Sequence, residues 1–170
     1  ELYILDKSHP KYEMAHHYHP FIEIILIDKG VLSVTLNTRK YLAKKGDVII
    51  VNSGVIHGAK PEDCTYRCLV FSLAFIKTGN FTGDRLIDEF LSQDKFFYEK
   101  ITDEKFYDQT LKLFNSMEDH FDQPFSVMGN VNLWFSHVLE NKFYTAGHQR
   151  EESKNHNSLQ KLKKALNFIR

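Results

Sequence analysis

Short apolar segments separated by turn residues fill the first half of the chain, and this spacing restricts the fold more than any other feature. The segments alternate in polarity or are rich in β-branched residues, which predicts about six strands within about seventy-five residues. Connections this short exclude the helical crossovers that parallel strands need. The fold class is therefore mainly β, a sandwich or small barrel of antiparallel strands. The predicted strands span residues 2–5, 21–28, 31–36, 39–43, 48–51 and 65–75.

Turn residues set the predicted connections between these strands. Lys29-Gly30 predicts a tight turn, because glycine adopts positive φ without a steric penalty. Asn37-Thr38 and Gly46-Asp47 predict the next two turns. Residues 31–36 alternate in polarity, which predicts one buried face. Residues 48–51 are apolar throughout, and we expect them to be buried on both faces.

Side chains that can bind a ligand lie at the start of the most apolar predicted strand. If the chain is extended from residue 17, His17, His19 and Glu23 share parity and project from one face. A buried carboxylate needs a partner, and two imidazoles with a carboxylate can hold a cation or a polar ligand. His57, on a predicted loop, can complete a set of three nitrogens and one oxygen that suits zinc, iron, nickel or manganese. In the alternative interpretation, these are surface turn residues and Glu23 faces solvent.

Two runs of residues resemble the two sequence motifs of the cupin superfamily. His17-x-His19-x3-Glu23-x6-Gly30 matches the first motif, and Gly46-x5-Asn52-x-Gly54-x2-His57 matches most of the second. Three positions depart from the pattern, and none of them is a metal-ligand position: Lys11 replaces the usual Gly, Asn52 replaces Pro and Pro61 replaces Asn. The resemblance implies a double-stranded β-helix, or jelly-roll barrel, in which the three histidines and the glutamate converge.

The wider stretch, from His17 through the run YLAKKGDVIIVNSGVIH that ends at His57, resembles more specifically the ligand-sensing domain of AraC-type transcription regulators. This resemblance covers residues 1–146. It implies a small polar effector, sugar-like, that the same three histidines and Glu23 hold in the barrel. A divalent metal such as zinc, nickel, iron or manganese can share that site, and the sequence leaves its identity open.

The composition restricts the partners of this segment. Its 22 basic and 22 acidic residues give no net field that attracts a polyanion, so we expect another part of the regulator to bind nucleic acid. No run reaches the roughly eighteen apolar residues of a membrane span, and the chain does not start with a signal peptide. Cys64 and Cys68 lie four residues apart in a predicted strand, too far apart to bridge. They are predicted to be reduced thiols of a cytoplasmic protein.

The periodicity changes from strand-like to helical after residue 76. A short helix is predicted over residues 84–92, and a longer one begins after Thr102, which has the side chain of an N-cap. Pro124 is predicted to end this helix, and a third helix runs from Ser126 to about residue 145. The two long helices form an antiparallel pair. The residues that share one face are Phe106, Thr110, Leu113, Phe114, Met117 and Phe121 on the first, and Val127, Val131, Trp134, Val138 and Asn141 on the second.

The helix pair has two interpretations that the residues alone leave open. It can cap the open edge of the barrel, or it can form the interface of a homodimer. Two amphipathic helices have more apolar faces than one barrel edge can bury, and the AraC resemblance favours dimerisation. The residues predicted to contact the second copy are Phe106, Leu113, Phe114, Trp134 and Val138.

The last part of the chain has a different composition. Residues 147–157 read GHQREESKNHN, which predicts a polar linker between domains. A further helix is predicted from Ser158, with four apolar residues on one stripe: Leu159, Leu162, Leu166 and Ile169. It resembles the first helix of the paired helix-turn-helix domain of AraC-type regulators, so we expect a DNA-binding domain of which the chain holds only this piece. The predicted division is 1–76 for the barrel, 77–146 for the helical region, 147–157 for the linker and 158–170 for this helix.

Three functions from different classes fit these features. The leading hypothesis is the effector-binding and dimerisation half of a transcription regulator, which is not an enzyme. The second is a metal-dependent cupin enzyme, a dioxygenase or sugar isomerase, with the same four residues as ligands. The sequence shows no obvious additional acid or base for it, although His16 and Tyr18 lie close to the site. The third is a sugar-binding module without a regulatory role. The residues that follow Arg170 in the gene discriminate between them, since a regulator continues into two helix-turn-helix units.

Overall fold

The computed structural model describes residues 3–6 and 13–146, with side chains from residue 13 onward. Within these residues the chain forms nine strands, three α-helices and one short 3-10 helix. The strands are β1 (Tyr3–Asp6), β2 (Met14–His17), β3 (Ile22–Leu36), β4 (Arg39–Lys44), β5 (Val48–Val51), β6 (His57–Phe71), β7 (Lys95–Phe97), β8 (Lys100–Ile101) and β9 (Tyr144–Ala146). The helices are α1 (Phe81–Leu91), α2 (Glu104–Asp119) and α3 (Pro124–Glu140), and the 3-10 helix is Leu73–Ile76.

The two longest strands, β3 and β6, have 15 residues each and organise the main sheet. They pair antiparallel over almost their whole length, from Ile22 opposite Phe71 to Leu36 opposite His57. β1, β5 and β8 extend one half of this ribbon, and β2 and β4 extend the other half. Because each long strand belongs to both halves, a bend in the ribbon brings the halves face to face. The predicted fold class, a cupin-like jelly roll followed by a helix pair, is confirmed.

The bend lies where the pairing of β3 with β6 shifts register, between residues 27 and 31. Gly30 has a φ of 75°. A Cβ at this position would lie 2.6 Å from the carbonyl carbon of Asp63 and 2.7 Å from the Cα of Cys64. Both the backbone conformation and the space therefore require glycine. The predicted turn at Lys29-Gly30 is wrong, because the chain passes through a bulge and continues to pair with the same neighbouring strand.

Strand β6 also differs from its prediction. It begins at His57 rather than at Thr65, and it ends at Phe71, before the 3-10 helix. Turn-forming residues precede residue 65 and predict a loop by their local preferences. Pro61 nevertheless lies opposite Leu32 in the β3–β6 pairing, so long-range pairing overrides those preferences. The predicted turn at Asn37-Thr38 is present between β3 and β4.

Strand alternation separates two hydrophobic cores. In β5 and the first half of β3, successive side chains point alternately to the outer face, which the helices cover, and to the barrel interior. The residues that face the helices are Ile22, Ile24, Leu26, Val48 and Ile50, and those that face the interior are Ile25, Ile27, Ile49 and Val51. All four residues of β5 are buried, as predicted from its apolar composition. Each fully buried aliphatic side chain contributes about 1.5–3 kcal/mol.

The helices α2 and α3 pack together on the outer face of the sheet. Asp103, rather than the predicted Thr102, is the N-cap of α2, since its carboxylate accepts a hydrogen bond of 2.8 Å from the Phe106 amide. Pro124 begins α3 instead of ending α2. A proline fits the first helical position because the amide at that position has no helical acceptor.

The five residues predicted for dimerisation all lie in the core of the chain itself. Each is at most 4% exposed: Phe106, Leu113, Phe114, Trp134 and Val138. Trp134 packs edge-on against Phe71 of β6, with ring centroids 6.1 Å apart. The assignment of these five side chains to a subunit contact is therefore corrected. They cover the outer face of the sheet, and helical periodicity alone does not reveal which neighbour covers an apolar face.

The barrel and the helical region pack against each other. β8 pairs with β5, and the helices share one core with the outer face of the barrel, so the described residues on both sides of position 76 pack together. The predicted linker, 147–157, and the predicted final helix, 158–170, lie outside the described residues. No helix in the described part of the chain is long and apolar enough to cross a membrane.

Candidate metal and effector site

The structure brings His17, His19, Glu23 and His57 together at the open end of the barrel. Each offers one ligand atom, and these atoms lie within 4.8 Å of one another. His17 ends β2 and lies directly opposite His57, the first residue of β6. The extended run from residue 17, on which the equal-parity argument depends, is interrupted, because β2 ends at residue 17 and β3 begins at residue 22. The convergence comes from three separate parts of the chain.

The site has a buried floor and an open rim. Glu23 is 2% exposed and His57 is fully buried, whereas His17 and His19 are half-buried. The barrel interior beneath the floor is lined by aliphatic residues that include Ile25 and Val51. A ligand therefore reaches the polar groups from the rim.

The connecting segments at the rim are tied to each other. The Gly54 amide donates to the His19 carbonyl over 2.9 Å, and the Ser53 hydroxyl donates to the Pro20 carbonyl over 2.9 Å. Asn52, one of the departures from the cupin motif, exchanges two hydrogen bonds of 2.9 Å with the backbone of Phe97 in β7. These contacts fix the loop that carries His57 relative to the segment that carries His19.

Backbone carbonyls fix the orientation of all three imidazoles. The Nδ1 atoms of His17 and His57 lie 2.9 Å from the carbonyl oxygens of Ala15 and Val55, respectively. The Nδ1 of His19 lies 3.2 Å from the carbonyl oxygen of Phe21. A carbonyl oxygen only accepts, so each Nδ1 carries the proton and donates it. Each Nε2 is left for the site, which is the arrangement that metal-binding histidines adopt in proteins.

The contacts between Glu23 and the imidazoles need a positive charge. Oε2 of Glu23 lies 2.9 Å from Nε2 of His57 and 3.2 Å from Nε2 of His19. With Nδ1 protonated, a neutral imidazole presents only a lone pair at Nε2, which repels the carboxylate. A second proton on the ring removes this repulsion, and so does a cation between the groups. The ring centroid of His57 lies 4.1 Å from that of His17 and 4.9 Å from that of His19, so three imidazolium charges would repel one another.

The titration of the site follows from burial and from these contacts. Burial raises the pKa of the Glu23 carboxyl, but hydrogen bonds from His19 and His57, the charge of His57 and a hydrogen bond from Cys68 together lower that pKa to about 2. Glu23 is thus ionised at neutral pH. Burial lowers the pKa of His17, and the neighbouring His57 acts in the same direction. The His17 imidazole is therefore neutral at pH 7, the form that binds a cation.

Three imidazole nitrogens and one carboxylate oxygen fit a divalent transition metal such as zinc, nickel, iron or manganese. His17 and His19 are only half-buried, so the cluster is partly accessible to solvent. His16, which also precedes the site in the sequence, is exposed and is not part of the cluster. Sequence reasoning missed the contribution of Cys68. The alternation that places Glu23 inward would have indicated it, had the strand containing Cys68 been aligned with β3.

A bent antiparallel barrel with a helix pair on its outer face and a polar site at its open end defines a cupin-like ligand-binding domain. The family model for the AraC-like ligand binding domain matches residues 1–126 of the chain. The chain belongs to this family.

Individual relatives match the chain over a short stretch or at low sequence identity. Over 63 residues the chain is 38% identical to the uncharacterized HTH-type transcriptional regulator YdeC of Bacillus subtilis (strain 168), and this match covers 35% of the chain and 22% of that protein. Among solved structures, an RmlC-like cupin from Shewanella frigidimarina NCIMB 400 is 20% identical, with a TM-score of 0.36 over 41% of this chain and 63% of that one. KdgF from Halomonas sp. is 21% identical, with a TM-score of 0.35 over 41% and 66% of the two chains.

Proposed function

We propose that this chain is the effector-sensing part of a cytoplasmic AraC-type transcription regulator, and that a small polar effector binds at the rim of the barrel. The observation that carries the proposal is the orientation of the three imidazoles. Each Nδ1 is held by a carbonyl, so His17, His19 and His57 direct Nε2 toward Glu23 and the open rim. Membership of the AraC-like ligand binding family supplies the regulatory context.

The chemistry of the site favours a ligand that has several hydroxyl groups. The carboxylate of Glu23 and a neutral imidazole both accept hydrogen bonds from hydroxyl groups, which a sugar-like molecule offers in number. The interior below the site is aliphatic, so polar contacts are confined to the rim. We infer a compact effector that binds by one polar edge.

A divalent metal fits the same groups, and His17, His19, Glu23 and His57 would hold it. A bound ion supplies a Lewis-acidic centre for the oxygens of the effector. The chain's own residues set the geometry: the carbonyl contacts at Nδ1 fix the rings, and the Glu23 carboxylate offsets part of the positive charge. His57 and Glu23 also close the floor, since both are buried.

We propose that the regulator is a homodimer and that the outer face of α3 makes the contact. Phe125 is 83% exposed and Leu133 is 58% exposed, and the exposed Gly129 lies between them at helical spacing. The exposed residues of α2 are mainly charged or polar. An apolar outer face beside a charged one is typical of an interface between copies.

Light scattering of the protein tests this contact. Leu133→Asp is expected to convert a dimer to a monomer, because a carboxylate would be buried without a partner. Leu42→Asp is the matched control, because Leu42 is 68% exposed on β4, away from α3. If Leu42→Asp dissociates the dimer and Leu133→Asp does not, the interface lies on the barrel.

DNA binding belongs, in this proposal, to a helix-turn-helix domain that includes residues 158–170 and extends beyond them. The chain has no net charge, and phosphate contacts normally supply much of the free energy of DNA binding. In a gel-shift assay with DNA from upstream of its own gene, the 170-residue chain is expected not to bind and the full-length regulator is expected to bind. Sequence-selective binding by the chain alone would contradict this division.

The effector itself is best found by thermal shift with libraries of sugars, polyols and hydroxy acids, on metal-free and metal-loaded protein. A ligand at a hundred times its Kd stabilises the folded state by about 2.7 kcal/mol. Stabilisation by a true effector is expected to disappear in Glu23→Gln and His57→Ala and to persist in His16→Ala. A ligand whose stabilising effect survives both site variants binds elsewhere and refutes the proposed site.

A metal-dependent cupin enzyme is the second function that the donor set favours, as a dioxygenase or a sugar isomerase. The specific observation is the mixed set of three nitrogens and one oxygen with an open rim. The discriminating assay is turnover. Metal-loaded protein that converts a rim-binding ligand, with loss of conversion in Glu23→Gln, would replace the regulatory assignment with the enzymatic one.

A further inference from the structure

Cys68 lies beside Glu23 on the inner surface of the barrel. In the pairing of β3 with β6, Cys68 is opposite Ile25, and Val70 is opposite Glu23. Residues two apart on a strand share a face, so Cys68 is the diagonal cross-strand neighbour of Glu23. Cys68 is 6% exposed and belongs to the core of the barrel interior.

The carboxylate of Glu23 has contacts with His19, His57 and Cys68. The imidazoles of His19 and His57 contact the same oxygen, Oε2. The thiol of Cys68 hydrogen-bonds the same carboxylate from the wall of the barrel. The terminal torsion of glutamate is broad, so the carboxylate orientation depends on the contacts that its oxygens make. A further donor adds to the contacts that hold this orientation.

We propose that Cys68 is a positioning residue for the site. Its S–H group donates to Glu23 and holds the carboxylate in the orientation in which Oε2 faces the imidazoles. The placement of Cys68 beside Glu23 stands on the pairing of the two strands, whereas its effect on ligand binding rests on the proposed function of the site.

A thiol suits this position for a physical reason. The neighbours of Cys68 on the inner surface include Ile25 and Ile27, so a strongly polar donor would be costly to bury. A cysteine packs as a small hydrophobic residue and still offers a weak donor. The second thiol, Cys64, is also buried on β6 and lies four residues further from Glu23 along the strand, so it provides a matched control.

Infrared spectroscopy of metal-free protein tests the hydrogen bond directly. The chain has two cysteines, so Cys64→Ala and Cys68→Ala assign the two S–H stretching bands. The Cys68 band is expected at lower frequency than the Cys64 band, and Glu23→Gln is expected to shift the Cys68 band alone. Two bands at the same frequency, neither of which responds to Glu23→Gln, would overturn the proposal.

Cobalt binding tests the consequence for the site. Removal of a group that orients a metal ligand typically lowers metal affinity by about 10-fold to 100-fold. Cys68→Ala is expected to show such a loss, Cys68→Ser to recover part of it, and Cys64→Ala to bind cobalt as the wild type does. If Cys68 only fills space in the core, Cys68→Ala is expected to behave as Cys64→Ala does. Both variants would then lose thermal stability and keep the cobalt ligand-field spectrum of the wild type. A sulfur-to-cobalt charge-transfer band lost only in Cys68→Ala would also contradict the proposal, since Cys68 would then be a ligand.

The two experiments separate two kinds of failure. If the wild type binds no cobalt but the Cys68 band is shifted and responds to Glu23→Gln, Cys68 positions Glu23 and the metal assignment is wrong. If cobalt binds with equal affinity to wild type and Cys68→Ala and the band is unshifted, the positioning role is wrong and the metal assignment stands.

Discussion

Substitution of Gly30 tests whether the bend in β3 depends on a close backbone approach. Gly30 has a φ of 75°, and an added Cβ would lie 2.6 Å from the Asp63 carbonyl carbon and closer still to its oxygen. These are backbone atoms of the partner strand, so no side-chain rotation relieves the clash. The left-handed conformation costs alanine about 1–2 kcal/mol, and overpacking costs about 1–3 kcal/mol more.

Gly30→Ala is therefore expected to lower the free energy of unfolding by about 4 kcal/mol. At this chain length each kcal/mol lowers Tm by roughly 2–4 °C, so a decrease of roughly 10 °C is expected by calorimetry. Gly79→Ala is the matched control. Gly79 has a φ of 79°, but a Cβ there meets nothing within 4 Å. It should lower the free energy of unfolding by about 1–2 kcal/mol. Equal effects of the two substitutions would refute the close-approach argument.

Two further predictions concern charged groups. The folded-state pKa of Glu23, about 2, lies below its ordinary value of 4.5, so its stabilising contribution is present above pH 4.5 and is lost as the pH falls from 4.5 toward 2. Chemical denaturation across that range should show a weaker loss of stability in Glu23→Gln than in the wild type, and parallel curves would contradict the assignment. Arg67, 12% exposed, donates to Asp28 of β3 and to Asn115 and Glu118 of α2. Arg67→Ala is expected to cost about 2–3 kcal/mol after allowance for partial exposure, with Lys77→Ala near zero as the control.

The sequence predicted β1, β4, β5, both halves of β3 and the second half of β6, together with the helix pair and the convergence of four site residues, because each leaves a local or motif-level signal. Alternation in residues 31–36 and the apolar run 48–51 reflect which faces are buried. The bulge at Gly30 was predicted as a turn because both structures need the same positive φ. Whether a turn or a bulge forms depends on the close approach of the Asp63 backbone on β6, which lies far away in the sequence.

The role of the helix pair was harder to predict for a similar reason. Periodicity shows that Phe106 and Trp134 are buried but not what buries them, and here the cover is the outer face of the chain's own sheet. The parity argument for His17 and Glu23 assumed an extended chain between them, although a break between β2 and β3 separates them. The contact between Cys68 and Glu23 depends on the β3–β6 register, which the sequence pattern did not predict.

The central claim is that three histidines and Glu23 form one site that can hold a divalent metal, and cobalt binding by metal-free protein tests it most directly. Protein purified without an affinity tag and dialysed against cobalt is expected to bind one ion per chain with an absorption spectrum of nitrogen and oxygen ligands. His17→Ala and His57→Ala should each abolish binding, and His16→Ala, which changes the exposed neighbour of His17, should bind as the wild type does. The claim is contradicted if the wild type binds no cobalt, or if His16→Ala loses the ion as fully as His17→Ala does.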